Sequence, residues 1–180
     1  MQVSFYSDDE LKCLGFKSIG ENVLISRKAS FYGIENISLG NHVRIDDFCI
    51  LSGNITIKNY VHISAYTGMW AGKSHIFIDD YSGVSSHCSL YAISDDYSGS
   101  FLCNAMCPPE TRNVIAKSIT LHKYVQIAAG CTVLPGVTIY EGAVLGSMSL
   151  AKNDLFSWKI YAGIPCAIVK ERDKSCLMLL

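Results

Sequence analysis

Charge is scarce in this chain. Only 17% of its 180 residues are Asp, Glu, Lys or Arg, and fifteen cations against sixteen anions leave a net charge of -1. That balance excludes a protein whose main task is to neutralise phosphate backbones, so nucleic acid is set aside as a partner. The opening residues, Met1 to Glu10, carry neither the basic region nor the apolar run of a secretory signal. No stretch of roughly 18 apolar residues occurs, so no membrane-spanning helix is expected. The closing Cys176-Leu177-Met178-Leu179-Leu180 misses a prenylation signal because its cysteine stands fifth from the end. A cytoplasmic protein without membrane insertion is the expectation. The eight cysteines come without paired short spacings and read as reduced thiols rather than a disulfide scaffold. Hydrophobic residues nonetheless reach 49%, so part of the surface is expected to end in an interface.

What the chain does have is a period. Branched or large apolar residues recur every six positions in sets of three: Ile19, Ile25, Phe31; Leu39, Ile45, Leu51; Ile57, Ile63, Met69; Ile78, Val84, Leu90. The pattern resumes at Leu121, Ile127, Val133, Ile139 and Leu145, and four residues after most anchors stands a small or modest side chain such as Val43, Cys49, Thr67, Cys88 or Cys131. This spacing fits neither an amphipathic helix nor an alternating strand. It fits an eighteen-residue coil with three short flat sides, in which each anchor points inward and the small residue lets the corner close. Stacked coils satisfy one another's backbone groups and join the anchors into one apolar column, which is an all-β parallel β-helix.

Coils starting at 19, 39, 57 and 78 are separated by 20, 18 and 21 residues, so small insertions are expected at corners. The next step, to Leu121, leaves an excursion of about 25 residues, roughly 96–120, that contains Gly99, Pro108 and Pro109 and lacks the repeat. Loops of that length are usually functional or disordered, and a functional loop is expected here. Ser7 with Glu10 three positions on reads as a capping box ahead of Leu11, Leu14 and Phe16, hence a short helix over the first coil. The organisation expected is an N-terminal cap over 1–18, the β-helix over 19–151 and a C-terminal cap and tail over 152–180.

The run Val125-Gln-Ile-Ala-Ala-Gly-Cys-Thr-Val-Leu-Pro-Gly-Val-Thr-Ile139, with Tyr161-Ala-Gly-Ile-Pro-Cys-Ala-Ile-Val-Lys170 after it, resembles the hexapeptide-repeat acyltransferases. The resemblance implies a left-handed β-helix and a homotrimer with sites between subunits. Within that family, Val84 to Gly99 looks like the subgroup that acetylates amino groups of nucleotide-linked dideoxy sugars in bacterial surface-polysaccharide (O-antigen, lipopolysaccharide) assembly. The implied reaction is acetyl transfer from acetyl-CoA to a dTDP-linked 4-amino-4,6-dideoxyhexose. Branches that acetylate sugar hydroxyls carry a catalytic His at the mouth of the excursion, where this chain has Ser94-Asp95-Asp96.

An alcohol needs a base as it attacks a thioester, whereas an amine attacks once its ammonium has lost a proton to a nearby carboxylate or water. Asp96 and Asp95 are therefore the candidate catalytic residues, with Ser94 and Tyr97 as hydrogen-bonding neighbours; the alternative is that the adjacent aspartates only make an Asx-type turn. For the nucleotide sugar, Ser64 matches a position where relatives contact the acceptor, and Asn104 and Arg112 are taken because they lie in the excursion. The seventeen Tyr and Phe residues are expected to include a stacking partner for a nucleobase. By resemblance, Ala129, Gly130 and Ser147 would meet the pantetheine arm of coenzyme A, positions 129 and 147 being one coil apart. Lys152, Lys170 and Arg172 would meet its phosphates, or be solvated charges.

No histidine occupies the family's catalytic slot, so all five read as surface or subunit-contact residues, with His62 and His87 the two that could reach a site. No His-x4-His pair on consecutive coils suggests zinc, and Cys103-x3-Cys107 lacks a second pair. No metal is expected. Two alternatives remain open: a sugar O-acetyltransferase, and a non-catalytic β-helix scaffold.

Overall fold

The structure, a computed structural model, describes residues 4–179. It is a parallel β-solenoid of about seven turns with one small helix. The anchors set three columns, one per face of a prism. On the first, Ile19, Leu39, Ile57, Ile78, Leu121 and Ile139 stand in register one above another, and Ile139 bridges onward to Leu155. On the second, Ile25, Ile45, Ile63, Val84, Ile127 and Leu145 do the same, ending on Tyr161. On the third, Phe31, Leu51, Met69, Leu90 and Val133 end on Ala151. From Ile45 to Leu145 every anchor is fully or almost fully buried.

The small corner residues close the coils from inside. Cys49, Cys88 and Cys131 are buried, and their thiols lie 3.1 Å from the carbonyls of Ser64, Ala128 and Gly146. Burial pushes the Cys49 thiol up to about 11, so it stays protonated near neutral pH.

On the first two faces the residue three places after every anchor but Ile25 turns the corner with positive φ, and at many of these corners the chain uses aromatics. His42, Tyr60, Tyr81 and Tyr124 have φ between 55° and 61° and stack at 4.6, 4.9 and 5.5 Å between ring centroids. Phe48, Tyr66 and His87 form a second stack on the next corner. A left-handed conformation disfavours side chains; ring contacts between successive coils offset that cost. Four of the ten tyrosines thus serve the corners of the solenoid.

The ends are sealed by different devices. The helix Asp8–Cys13 carries the expected capping box between Ser7 and Glu10 and buries Leu11 against the first coil. Glu10 also accepts a hydrogen bond of 2.6 Å from Arg27. At the other end the pairing outlasts the regular spacing, since Leu155 and Tyr161 take anchor places sixteen residues after Ile139 and Leu145. The antiparallel strands Lys159–Gly163 and Cys166–Glu171 complete the cap.

The excursion leaves the prism slightly earlier than the repeat suggests and has structure of its own. Ile93–Asp95 pairs antiparallel with Val114–Ala116, placing Ile93 opposite Ala116 and Asp95 opposite Val114. Periodicity reports only residues that reach the core, so a hairpin that pairs with itself is invisible to it.

Candidate active site

The hairpin at the root of the excursion and the third face of the prism enclose a cavity of about 690 Å³. Its wall on the prism side follows from the coil geometry: Trp70, Tyr91 and Leu134 each come one residue after an anchor, so they face outward from successive coils. Trp70 and Tyr91 stack at 4.6 Å, nearly parallel. Gly68 makes room for this, because a Cβ there would come within 2.1 Å of the indole ring.

The excursion supplies the opposite wall. Ile93, Asp95 and Val114 of the hairpin line the cavity together with Arg112 and Tyr97. Arg112 donates from one terminal nitrogen to Asp95 Oδ1 at 2.9 Å and from the other to the carbonyl of Ala105 at 3.4 Å, while its Nε is buried without a partner. Both side chains of the pair are four-fifths covered. Asp95 is therefore a hydrogen-bond acceptor that Arg112 holds in place beside carbon surface. No histidine is among its lining residues.

A smaller recess of about 270 Å³ lies on the second face, bordered by His62, Ser64, Ser85 and Gln126 with Gly83 between the coils. His62 is fixed there by a 2.7 Å bond to Asp46.

No protein-family model matches the chain. The dTDP-4-amino-4,6-dideoxy-D-glucose acyltransferase of Escherichia coli is 43% identical over 180 residues, covering 98% of this chain and 93% of that protein. The chain belongs to the hexapeptide-repeat acyltransferases. It is an acyltransferase by the same comparison, and AntD, an N-acyltransferase from Bacillus cereus, has the same fold. AntD in complex with dTDP and 3-hydroxybutyryl-CoA superposes with a TM-score of 0.96 at 46% identity, covering 99% of this chain and 95% of AntD. A serine-to-cysteine variant of AntD, in complex with dTDP-4-amino-4,6-dideoxyglucose and coenzyme A, gives 0.96 at 45% identity and coverage of 99% and 96%. Further AntD structures carry substitutions of that serine or of one aspartate.

In this acyltransferase the residues singled out from the sequence fall in several places. Asp95, Ser94, Tyr97 and Arg112 meet at the cavity. Ser94 Oγ donates to the carbonyl of Asp95 at 3.0 Å, and Tyr97 stands exposed at the rim. Asp96 has the loop-turn geometry that was the alternative for it: its Oδ1 accepts from the Ser98 amide and its Oδ2 from Asn113, both at 2.8 Å. Those bonds hold its carboxyl below the usual range. Asn104 lies outside the cavity lining and caps the Met106 amide at 2.7 Å. Ser64 lies on the second face, in the smaller recess.

Ala129, Gly130 and Ser147 come together on adjacent coils of one corner, where the Met148 amide donates to the carbonyl of Ala129 at 2.9 Å. Lys152 follows Ala151 on the third face and is exposed, as is Lys170. Arg172 is engaged inside the fold: it donates to the carbonyls of Tyr124 and Gly142 at 2.8 and 2.9 Å and covers the Trp158 ring. Two of the five histidines, His42 and His87, belong to the corner stacks. Trp70, Tyr91, Leu134, Val114 and Ser85 were not among the sequence candidates; large apolar side chains recurring at an outward slot were the available signal for the first three.

No helix among the described residues is long and apolar enough to cross a membrane, and no group of three His, Cys, Asp or Glu among them is placed to hold a metal.

Proposed function

We propose that this acyltransferase moves the acyl group of acetyl-CoA onto the C4 amino group of a dTDP-linked 4-amino-4,6-dideoxyhexose, as a cytoplasmic homotrimer that supplies bacterial surface-polysaccharide assembly. The observation that carries the reading is Asp95, a carboxylate on the wall of a largely carbon-lined cavity. That arrangement suits a cationic amine better than an alcohol, which would need a base to take its proton during attack. AntD supports the nucleotide, the amino sugar and a coenzyme A thioester as ligands of this kind of enzyme.

In this mechanism the sugar ammonium docks on Asp95 and gives up one proton to it. The free amine attacks the thioester carbonyl, the C–S bond breaks as the tetrahedral intermediate collapses, and the departing thiolate takes the second nitrogen proton. Amide and free coenzyme A result, with one proton passed on to solvent. Ala129, Gly130 and Ser147 line the pantetheine path in this reading, with Lys152 and Lys170 as candidate phosphate contacts. The part proposed for Arg172 is to hold the corner beside them.

The serine and the aspartate substituted in AntD stand ten residues apart. Ser85 and Asp95 share that spacing, as do Ser86 and Asp96, but Asp96 is engaged in its own loop. Ser85 and Asp95 open on different faces of one prism. A single site that uses both draws on two copies of the chain, which favours the trimer with sites between subunits and puts Ser64 beside the acceptor.

The test is release of free thiol from acetyl-CoA and 3-hydroxybutyryl-CoA across dTDP-, UDP- and GDP-linked amino sugars and simple galactosides. Turnover with dTDP-4-amino-4,6-dideoxyglucose and little with hydroxyl acceptors is expected. Turnover with hydroxyl acceptors alone would restore the O-acetyltransferase, and none at all the scaffold.

A further inference from the structure

We infer that Val114 reads the C6 methyl group of the amino sugar and so makes the enzyme selective for 6-deoxy over 6-hydroxy acceptors; this rests on the proposed amino-sugar reaction at Asp95. The hairpin register places Val114 directly opposite Asp95. Cross-strand partners in an antiparallel pair keep their Cβ atoms roughly 4.5–5.5 Å apart and on the same side of the ribbon. Ile93, two residues before Asp95, falls on that side as well, and all three line the cavity.

The chemistry of the acceptor matches this pairing. In a 4-amino-4,6-dideoxyhexose the amine on C4 and the methyl on C5 leave adjacent ring carbons, so a group that holds the ammonium has the methyl beside it. The neighbouring C3 substituent and the ring oxygen are polar, which leaves the methyl as the sugar's one carbon-only contact near the amine. Ile93 is itself occupied, because its side chain covers Gly72, where a Cβ would come within 2.8 Å of it. Val114 is 44% exposed and free to meet a ligand. A C6 hydroxyl placed against it would lose water and gain no partner. An apolar pocket rejects an added hydroxyl by about a hundredfold at most.

The experiment compares kcat/KM for dTDP-4-amino-4,6-dideoxyglucose and dTDP-4-amino-4-deoxyglucose, each with two-carbon and four-carbon acyl-CoA donors, in the wild type, Val114→Thr and Val114→Ala. The wild type is expected to favour the 6-deoxy sugar by roughly ten- to a hundredfold. Val114→Thr, which keeps the shape of the side chain and adds a hydroxyl, should shrink that ratio about tenfold with the donor preference unchanged. Val114→Ala should lower the rate with the 6-deoxy sugar selectively. Equal wild-type rates with the two sugars, or a Val114→Thr effect on donor length with the sugar ratio unchanged, would overturn the inference and leave the amino-sugar reaction standing. Absence of turnover with both sugars would overturn that reaction as well.

Discussion

Arg112 Nη2 donates to Asp95 Oδ1 across 2.9 Å and so ties the outgoing arm of the excursion to its return arm. The two residues are seventeen positions apart in sequence, yet they set the polar end of the cavity. Removing the carboxylate charge tests whether that end carries the chemistry.

Asp95→Asn should lower kcat by about 10² to 10⁴, the range expected when a group that handles a proton in the rate-limiting step is lost. Asp96→Asn should lower it less than a few-fold. Its Oδ1 can still accept from the Ser98 amide, and the lost bond to Asn113 costs about 1 kcal/mol of stability. Steady-state rates with denaturant midpoints separate the two effects. A large rate loss in Asp96→Asn without a stability change would move the catalytic role back to Asp96.

Mixed trimers test whether Ser85 and Asp95 of different chains share a site. Ser85→Ala and Asp95→Asn chains, each expected to lose most of its activity alone, are unfolded, mixed in equal amounts and refolded. Random assembly in a symmetric trimer gives intact sites at about one quarter of positions, hence about a quarter of wild-type activity. No recovery on mixing would place both residues in one chain's site.

Gly142 and Gly99 make a matched pair for the corner geometry. Both have positive φ, but an added Cβ meets nothing within 4 Å at Gly99 and meets the Trp158 ring at 2.4 Å at Gly142. Gly99→Ala should cost about 1 kcal/mol from backbone strain alone, and Gly142→Ala about 3 kcal/mol or more because an indole must move as well. Equal losses in chemical denaturation would show that the aromatic stack yields freely.

The N-terminal cap carries a pH signature. The hydrogen bond from Arg27, helped by the Ser7 amide and hydroxyl, holds the Glu10 carboxyl down from 4.5 to about 2. A lowered folded value means that the contribution is present above 4.5 and is lost as the pH falls through 2. Amide exchange at Ser7 and Glu10 followed over that range should show the helix Asp8–Cys13 loosening near pH 2. Loosening already at 4.5 would mean that the Arg27 contact is absent in solution.

Much of the fold was legible because the core imposes a six-residue spacing on any chain that fills it. Ile45, Ile63, Val84 and Ile127 could be assigned inward places from sequence alone, and the stacked registers bear that out. The site was less legible for physical reasons that differ by residue. Asp95 and Asp96 are neighbours of one chemical type, and their partners distinguish them: Val114 and Arg112 for Asp95, Ser98 and Asn113 for Asp96. Arg172 carries the charge expected of a phosphate contact, yet two carbonyls and the Trp158 ring occupy it. The tyrosines looked like candidate base-stacking residues because composition does not register that a left-handed corner can be stabilised by the ring on the coil above.

The central claim is that the bond formed is an amide at the sugar nitrogen. Incubating the enzyme with ¹⁵N-labelled dTDP-4-amino-4,6-dideoxyglucose and carbonyl-¹³C acetyl-CoA tests it directly. A product resonance showing one-bond ¹³C–¹⁵N coupling is the predicted result. A labelled acyl group on a sugar oxygen, with the amine resonance unchanged, would contradict it.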